Sequence, residues 1–92
     1  MKYTVGFTNQ FKKDLKRAEK RGRNIESLFN VVERISNEET LEPAYHLHRL
    51  VGQYEGCFEC HIEHDWLLIY KKYESTMILM LSRLGSHSDL FK

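Results

Sequence analysis

The spacing of the apolar residues changes along this chain, and these changes limit the folds open to it. Apolar residues alternate within positions 2–7, recur at helical intervals from position 11 to 35, and form dense runs typical of strands from position 54 onward. The predicted elements are a strand at 2–7, helices at 9–22 and 24–37, a loop at 37–45, strands at 54–63, 66–72 and 76–83, and a polar tail at 85–92.

The connections between these elements predict how they pack. The link between the two helices is short, which favours a helical hairpin, and the links at His64–Asp65 and Tyr73–Ser75 are short enough for β-hairpins. The three later strands are therefore expected to form an antiparallel meander. We predict an α+β fold in which the N-terminal strand, the helix hairpin and the meander complete one sheet.

The size and composition exclude several classes of protein. With 92 residues, the chain is expected to form a single domain over 1–92 with one modest core. One proline, five glycines and a hydrophobic fraction of 41% argue against a disordered or fibrous chain. The sequence has no apolar run long enough for a membrane span and no secretory signal, so we expect a cytoplasmic protein with reduced thiols and no membrane partner.

Charge is distributed in blocks along the chain. The first 23 residues carry eight Lys or Arg side chains against two acids, whereas residues 24–69 carry two basic side chains against nine acids. The early cations form a predicted basic face on the first helix and its C-terminal end: Lys12, Lys13, Lys16, Arg17, Lys20, Arg21 and Arg23. Such a face can steer a polyanion to the protein, and its alternative role is an ordinary solvated helix surface.

Histidine is the residue type most informative about chemistry here. The chain has five: His46, His48, His61, His64 and His87. Imidazoles titrate near neutral pH, so this set, with Asp65 beside it, is suited to proton transfer without a cofactor. Strand alternation places His61 on the same face as Glu59, away from the apolar side of the sheet.

The two cysteines offer competing interpretations. Residues 57–61 read Cys-Phe-Glu-Cys-His, the literal pattern of c-type haem attachment, and a zinc site could be drawn from Cys57, Cys60, His61 and His64. A strand sends Cys57 and Cys60 to opposite faces, which argues against both groups. We therefore expect no metal and no cofactor, with Cys60 as a small buried hydrophobe and Cys57 as a partly exposed thiol.

One long run and its downstream residues resemble a known family. The run from His61 to Tyr70, His-Ile-Glu-His-Asp-Trp-Leu-Leu-Ile-Tyr, is the most specific part of the resemblance. The pattern also includes Leu50, Gly52, Tyr54, Gly56, Glu59, Arg83, Gly85, His87 and Phe91. Essentially the whole chain is similar to the YafQ toxins of the RelE/ParE superfamily, which belong to bacterial type II toxin-antitoxin systems.

This resemblance implies both an activity and a set of site residues. It implies a ribosome-dependent endonuclease that cuts messenger RNA and is held inactive by a cognate antitoxin. The family's active-site histidines match His48, His61 and His87, and its acid matches Asp65. Its aromatic contacts match Trp66 and Phe91. The chain departs from its relatives at Tyr54, where Trp is common, at Glu55, where a basic residue is common, and at His64, where proline is common.

The residue chemistry suits RNA cleavage without a metal, which needs a base, an acid and a cation. We expect His87 to be the acid, because a flexible tail could carry it over the leaving group. Asp65 is the expected base, directly or by orienting His61, although His48 and His61 remain candidates. His48 is expected to position the phosphate or share the proton transfer, and Arg83 is expected to stabilise the transition state.

The remaining residues are expected to bind RNA or protein, except His46, to which no role is assigned. Trp66 and Phe91 are predicted to stack on RNA bases, with core packing as the alternative for each. The basic face is predicted to contact ribosomal RNA phosphates or, alternatively, the antitoxin. His46 is expected to be a surface residue without a role.

Two other functions remain open from the sequence. One is a noncatalytic inhibitor that resembles the ParE branch and binds DNA gyrase, which would have no need for His48, His61, Asp65 and His87 together. The other is a metal-binding or redox module built on Cys57 and Cys60, which metal content or a visible absorption band would reveal.

Overall fold

The computed structural model describes residues 2–91, so Met1 and Lys92, which the predicted domain includes, lie outside the described residues. The elements are β1 (Thr4–Phe7), α1 (Asn9–Lys20), α2 (Ile25–Ser36), β2 (His48–Arg49), β3 (Phe58–Glu63), β4 (Trp66–Tyr73), β5 (Ile78–Gly85) and α3 (His87–Leu90), with short 3-10 turns at Pro43–Tyr45 and Gly52–Tyr54. No helix among residues 2–91 has the length and apolar character needed to cross a membrane.

Both helices of the predicted hairpin begin at a side-chain cap. The side chain of Thr8 accepts a hydrogen bond from the Phe11 N–H at 3.0 Å, and the side chain of Asn24 accepts one from the Ser27 N–H at 3.1 Å. Gly22, with φ of +74°, ends α1 in a left-handed conformation that favours glycine. Both predicted helices are confirmed within a residue or two of their expected ends.

The strands form one five-stranded sheet in the order β1-β5-β4-β3-β2. β3, β4 and β5 are an antiparallel meander, as predicted. β1 joins the sheet parallel to β5, with Thr4 opposite Ile78 and Phe7 opposite Leu81. The α+β fold predicted from the sequence is confirmed.

The two faces of the sheet carry cores of different size. The larger core lies under α1 and α2 and includes Phe11, Leu28, Cys60 and Leu68, all fully buried. The smaller one lies on the opposite face, where Leu67, Ile69 and Leu90 are buried and Cys57 packs beside them. Cys57 and Cys60 therefore lie on opposite faces, as strand alternation predicted. Burial raises the pKa of the Cys60 thiol to about 12, which makes it unreactive.

Two strands begin later than predicted because of turns, and one short strand was not predicted. The predicted strand at 54–63 begins at Phe58, since Gly52–Tyr54 forms a 3-10 turn and Gly56 has φ of +90°. The last strand begins at Ile78 rather than 76, because residues 74–77 form a turn in which Met77 has φ of +55°. The strand β2 has no counterpart in the prediction. It consists of two residues, and its pairing with β3 defines it.

The prediction of a flexible tail at residues 85–92 is wrong. Residues 87–90 form α3, whose first turn is closed by a capping box between Ser86 and Asp89. Leu90 is 3% exposed and packs on the smaller core. The segment that carries His87 is therefore docked on the sheet.

Candidate active site

Several of the predicted site residues meet on the face of the sheet opposite the helix hairpin. Alternation along β3 places Glu59 and His61 on this face, and the pairing of β2 with β3 sets His48 directly opposite Glu59. The turn between β3 and β4 contributes Asp65, and α3 contributes His87. Two strands, a turn and a helix thus supply one cluster.

Glu59 lies at the centre of this cluster, and sequence reasoning did not select it as a site residue. It is 3% exposed, and its Oε1 lies 3.3 Å from His48 Nε2 and 3.7 Å from His61 Nε2. The Nδ1 atom of His48 lies 2.7 Å from the His46 carbonyl, which only accepts, so Nδ1 is the donor. The signal that could have identified Glu59 is its position two residues before His61 on one strand face.

His61 is surrounded by other imidazoles. Its ring centroid lies 4.9 Å from that of His46 and 5.8 Å from that of His87. Burial lowers the pKa of His61 below its usual value, and the Glu59 carboxylate opposes that shift without cancelling it. The lowered pKa favours the neutral form of the imidazole, which can accept a proton. His46 is exposed, as expected of a surface residue, and its ring lies against that of His61.

His87 is held by Asp65 through two hydrogen bonds. The Asp65 Oδ1 atom accepts the His87 backbone N–H at 2.9 Å and lies 2.8 Å from the ring Nδ1. These two bonds, the backbone one foremost, hold the pKa of Asp65 below its usual range, so the carboxyl is ionised. Nδ1 therefore donates to Asp65, and Nε2 is the ring atom directed away from it. The prediction that Asp65 orients His61 is wrong, since it orients His87.

Arg83 is connected to the cluster through two aromatic side chains. Its Nε donates to Asp14 at 2.8 Å, and its Nη1 donates to the Tyr54 hydroxyl at 3.2 Å. The Tyr54 ring meets the edge of Phe91 at 5.5 Å, and Phe91 lies 6.1 Å from the His87 ring. Phe91 is 38% exposed beside His87, which leaves its ring accessible to a base. Tyr54 and Arg83 line an open pocket of about 290 Å³.

Trp66 does not belong to the exposed site. It is 1% exposed and packs in the larger core, on the face opposite the histidines. The Arg23 guanidinium covers its ring at 5.6 Å from the centroid. The prediction that Trp66 stacks on RNA is therefore wrong, and the alternative of core packing is correct. The register of β3 against β4 shifts between His61 and Glu63, shortly before the chain reaches Trp66.

The predicted basic face contains two kinds of cation: lysines that are exposed to solvent and arginines that contact other side chains of the protein. Four lysines are exposed to solvent: Lys12, Lys13, Lys16 and Lys20. The arginines make contacts within the protein, since Arg17 lies 3.3 Å from Asp14 and Arg21 lies 2.9 Å from Asp89. Arg23 covers Trp66. The lysines are thus the cations that remain open to a polyanion.

One group of side chains has the geometry to hold a metal ion. Within residues 2–91, ligand atoms of Glu59, His61 and His87 lie within 4.8 Å of one another. Imidazole and carboxylate ligands suit several divalent transition metals. The zinc set drawn from Cys57 and Cys60 is not brought together, because the two thiols lie on opposite faces.

The fold is shared with small bacterial toxins of known structure. A metal-bound toxin from Helicobacter pylori superposes with a TM-score of 0.91 and 39% identity, over 97% of this chain and 99% of that one. The toxin in the Escherichia coli DinJ-YafQ complex superposes with a TM-score of 0.88 and 31% identity, over all of both chains.

The sequence comparison then specifies the family. Residues 3–92 match the family described as the bacterial toxin of type II toxin-antitoxin system, YafQ. The mRNA interferase toxin YafQ of Escherichia coli K12 is 34% identical over 88 residues, which cover 95% of this chain and 94% of that protein. The chain belongs to the YafQ family of type II toxins, as the sequence resemblance predicted.

Proposed function

We propose that this chain is a messenger RNA endonuclease that acts on translating ribosomes through general acid-base chemistry without a metal. The observation that supports it most is the pair of imidazoles in different environments, His61 partly buried and His87 exposed and tied to Asp65, with ring centroids 5.8 Å apart. The Escherichia coli relative is named an mRNA interferase toxin. A binding protein would not need two imidazoles so arranged.

The proposed reaction assigns one proton transfer to each imidazole. His61, whose pKa is lowered by burial, takes the proton of the ribose 2′-hydroxyl as that oxygen attacks the adjacent phosphorus. His87, with Nδ1 held by Asp65, donates a proton from Nε2 to the departing 5′-oxygen. The phosphorus–5′-oxygen bond breaks as the 2′-oxygen–phosphorus bond forms. Each transfer is typically worth about 10² to 10⁴ in rate.

The neighbouring residues take supporting roles in this proposal. Arg83 stabilises the charge that develops on the phosphate, since a guanidinium has five donors and two of them remain after its bonds to Asp14 and Tyr54. Phe91 stacks on a base beside the cleaved bond. His48, bridged to His61 by Glu59, shares the proton transfer or positions the phosphate.

Binding partners follow from the charge distribution and the family. The exposed lysines of α1 contact ribosomal RNA phosphates. These contacts supply affinity for the ribosome, which an active site with few substrate contacts would not supply alone. A cognate antitoxin holds the toxin inactive in the cytoplasm until it is released. The Escherichia coli relative in the DinJ-YafQ complex supports the existence of such a partner.

The metal-independent mechanism conflicts with a metal ion held by Glu59, His61 and His87. A metal bound there would occupy the imidazole lone pair that His61 needs as a base. The Helicobacter pylori structural relative is described as metal-bound, so the point requires a direct test. We expect chelators to leave cleavage intact and added Zn²⁺ or Cu²⁺ to inhibit it.

The test is primer extension on messenger RNA from a translating extract, with ribosomes omitted from a parallel lane. The native chain is compared with His87→Ala and with the matched control His64→Ala, which changes an exposed histidine of the β3–β4 turn. We expect discrete cuts from the native chain and the control, no cuts from His87→Ala, and no cuts without ribosomes. An intact messenger in every lane would refute the nuclease and direct the next assay to DNA gyrase.

A further inference from the structure

A buried carboxylate lies between α1 and β5, outside the histidine cluster. Asp14 is 1% exposed, and its Oδ2 accepts the Nε–H of Arg83 at 2.8 Å and the backbone N–H of Leu84 at 3.0 Å. Its Oδ1 accepts side-chain donors from Gln10 at 3.1 Å and Arg17 at 3.3 Å. A carboxylate so deeply buried is stable only when it is paired in this way.

This pairing determines the direction of the Arg83 guanidinium. The group is planar, and its five donors have fixed relative directions. With Nε at 2.8 Å and Nη2 at 3.5 Å from the two Asp14 oxygens, one edge of the plane faces Asp14. Nη1 then points to the Tyr54 hydroxyl at 3.2 Å. Asp14 therefore fixes which donors Arg83 can offer to another group.

The same chain of hydrogen bonds continues to the helix that carries His87. The Tyr54 hydroxyl, which accepts from Arg83, donates to the Leu90 carbonyl at 3.0 Å. Leu90 is the last residue of α3, and the next residue, Phe91, donates its backbone N–H to the His87 carbonyl at 2.8 Å. Arg83 and Tyr54 thus connect Asp14 on α1 to the C-terminal end of α3, from which the bond of Phe91 leads back to His87.

We propose that Asp14 is a positioning residue of the active site, which orients Arg83 and, through Arg83 and Tyr54, holds α3 and His87 in place. This proposal rests on the proposed nuclease function. Asp14 is buried and touches no substrate, so its loss affects the chemical step rather than RNA binding. A residue that merely pinned α1 to β5 would affect stability alone, and its effect would not depend on Arg83.

The kinetic test compares Asp14→Asn with Gln10→Ala, measured on ribosome-bound messenger at a temperature where circular dichroism shows each variant folded. Gln10→Ala is the matched control, because it removes one hydrogen bond to Asp14 without disturbing Arg83. We expect Asp14→Asn to lower kcat by about 10²-fold with KM nearly unchanged, the usual effect of a small misplacement. Gln10→Ala should keep the native kcat.

A double variant shows whether Asp14 acts through Arg83. In an Arg83→Ala background, Asp14→Asn should cause no further loss of kcat, since the group it orients is gone. Losses that multiply, or a native kcat in Asp14→Asn alone, would overturn the positioning role.

Nuclear magnetic resonance provides a readout that does not require activity. The Arg83 Nε–H should exchange slowly in the native chain and in Gln10→Ala, and rapidly in Asp14→Asn. If the native chain cleaves nothing, the nuclease proposal fails, while slow Nε–H exchange lost only in Asp14→Asn still supports the orientation of Arg83. Equal exchange in all three proteins would overturn it.

Tyr54→Phe keeps the proposal testable if Asp14→Asn does not fold. It removes the hydroxyl that joins Arg83 to Leu90 and leaves the bonds to Asp14 intact. We expect a lower kcat and faster exchange of the Phe91 amide, with the Arg83 Nε–H still protected. A native kcat and native Phe91 exchange would show that the connection does not hold α3.

Discussion

Replacing Leu90 with alanine tests whether the docking of α3 supports activity. Leu90 packs against Leu67 and Ile69 on the smaller core. The change removes every carbon beyond Cβ, and at about 0.8 kcal/mol per buried methylene this amounts to about 2 kcal/mol before any cavity is counted. Buried Leu to Ala changes measured in other proteins range from about 2 to 5 kcal/mol.

Most of this loss should fall on α3 itself. The helix has four residues, and Leu90 is its one buried side chain. A loss of about 2 kcal/mol raises the population of undocked helix by a factor of about 30. Hydrogen exchange of the Phe91 amide, which donates to the His87 carbonyl, should therefore accelerate by a similar factor. Cleavage should fall, because His87 leaves the cluster with the helix.

Leu79→Ala is the control, since Leu79 is fully buried in the larger core. It should lower the urea midpoint of the whole protein while leaving kcat of the folded protein near native. If Leu90→Ala leaves both Phe91 exchange and cleavage unchanged, Leu90 does not hold the helix, and this reasoning is refuted.

Three further predictions concern pH and the core. Because burial holds the pKa of His61 in the free protein below its usual value, the acidic limb of the kcat/KM profile should lie below about pH 6.5, and a limb above that value would argue against His61 as the base. The Ser86 backbone N–H, foremost among its contacts, lowers the pKa of Asp89 from 3.8 to about 2 in the folded protein. The stability that Asp89 contributes is therefore present above its unfolded value and is lost as pH falls toward 2. Protection of the Phe91 amide, corrected for its intrinsic exchange rate, should fall across that range, and Asp89→Asn should reduce this pH dependence to the part that Asp65 contributes. Finally, Trp66→Phe should lower the free energy of unfolding by about 1 to 3 kcal/mol and leave KM for RNA unchanged, as urea titration and kinetics will show. A raised KM with native stability would contradict this and assign Trp66 to the RNA-binding surface.

Local patterns in the sequence determined most of the fold. Helical spacing and the short link between the helices predicted the hairpin, and the caps that the structure shows at Thr8 and Asn24 also depend on contacts a few residues apart. The period of a strand assigned Cys57 and Cys60 to opposite faces, and this alternation argued against haem and zinc. The resemblance to the YafQ family depended on the run from His61 to Tyr70, and the family match confirmed it.

The tertiary structure decided how the site residues meet. Asp65 pairs with His87 across 22 positions of the chain, and Asp14 pairs with Arg83 across 69. No local pattern encodes such pairs, because they arise from strand register and from the packing of α1 and α3 on the sheet. The same reason explains why Trp66 was expected outside the core and why Glu59 and His46 were not assigned to the site. The sequence by itself determined which chemical groups are present and which strand face they share. Only the folded chain determined which of these groups are joined by hydrogen bonds.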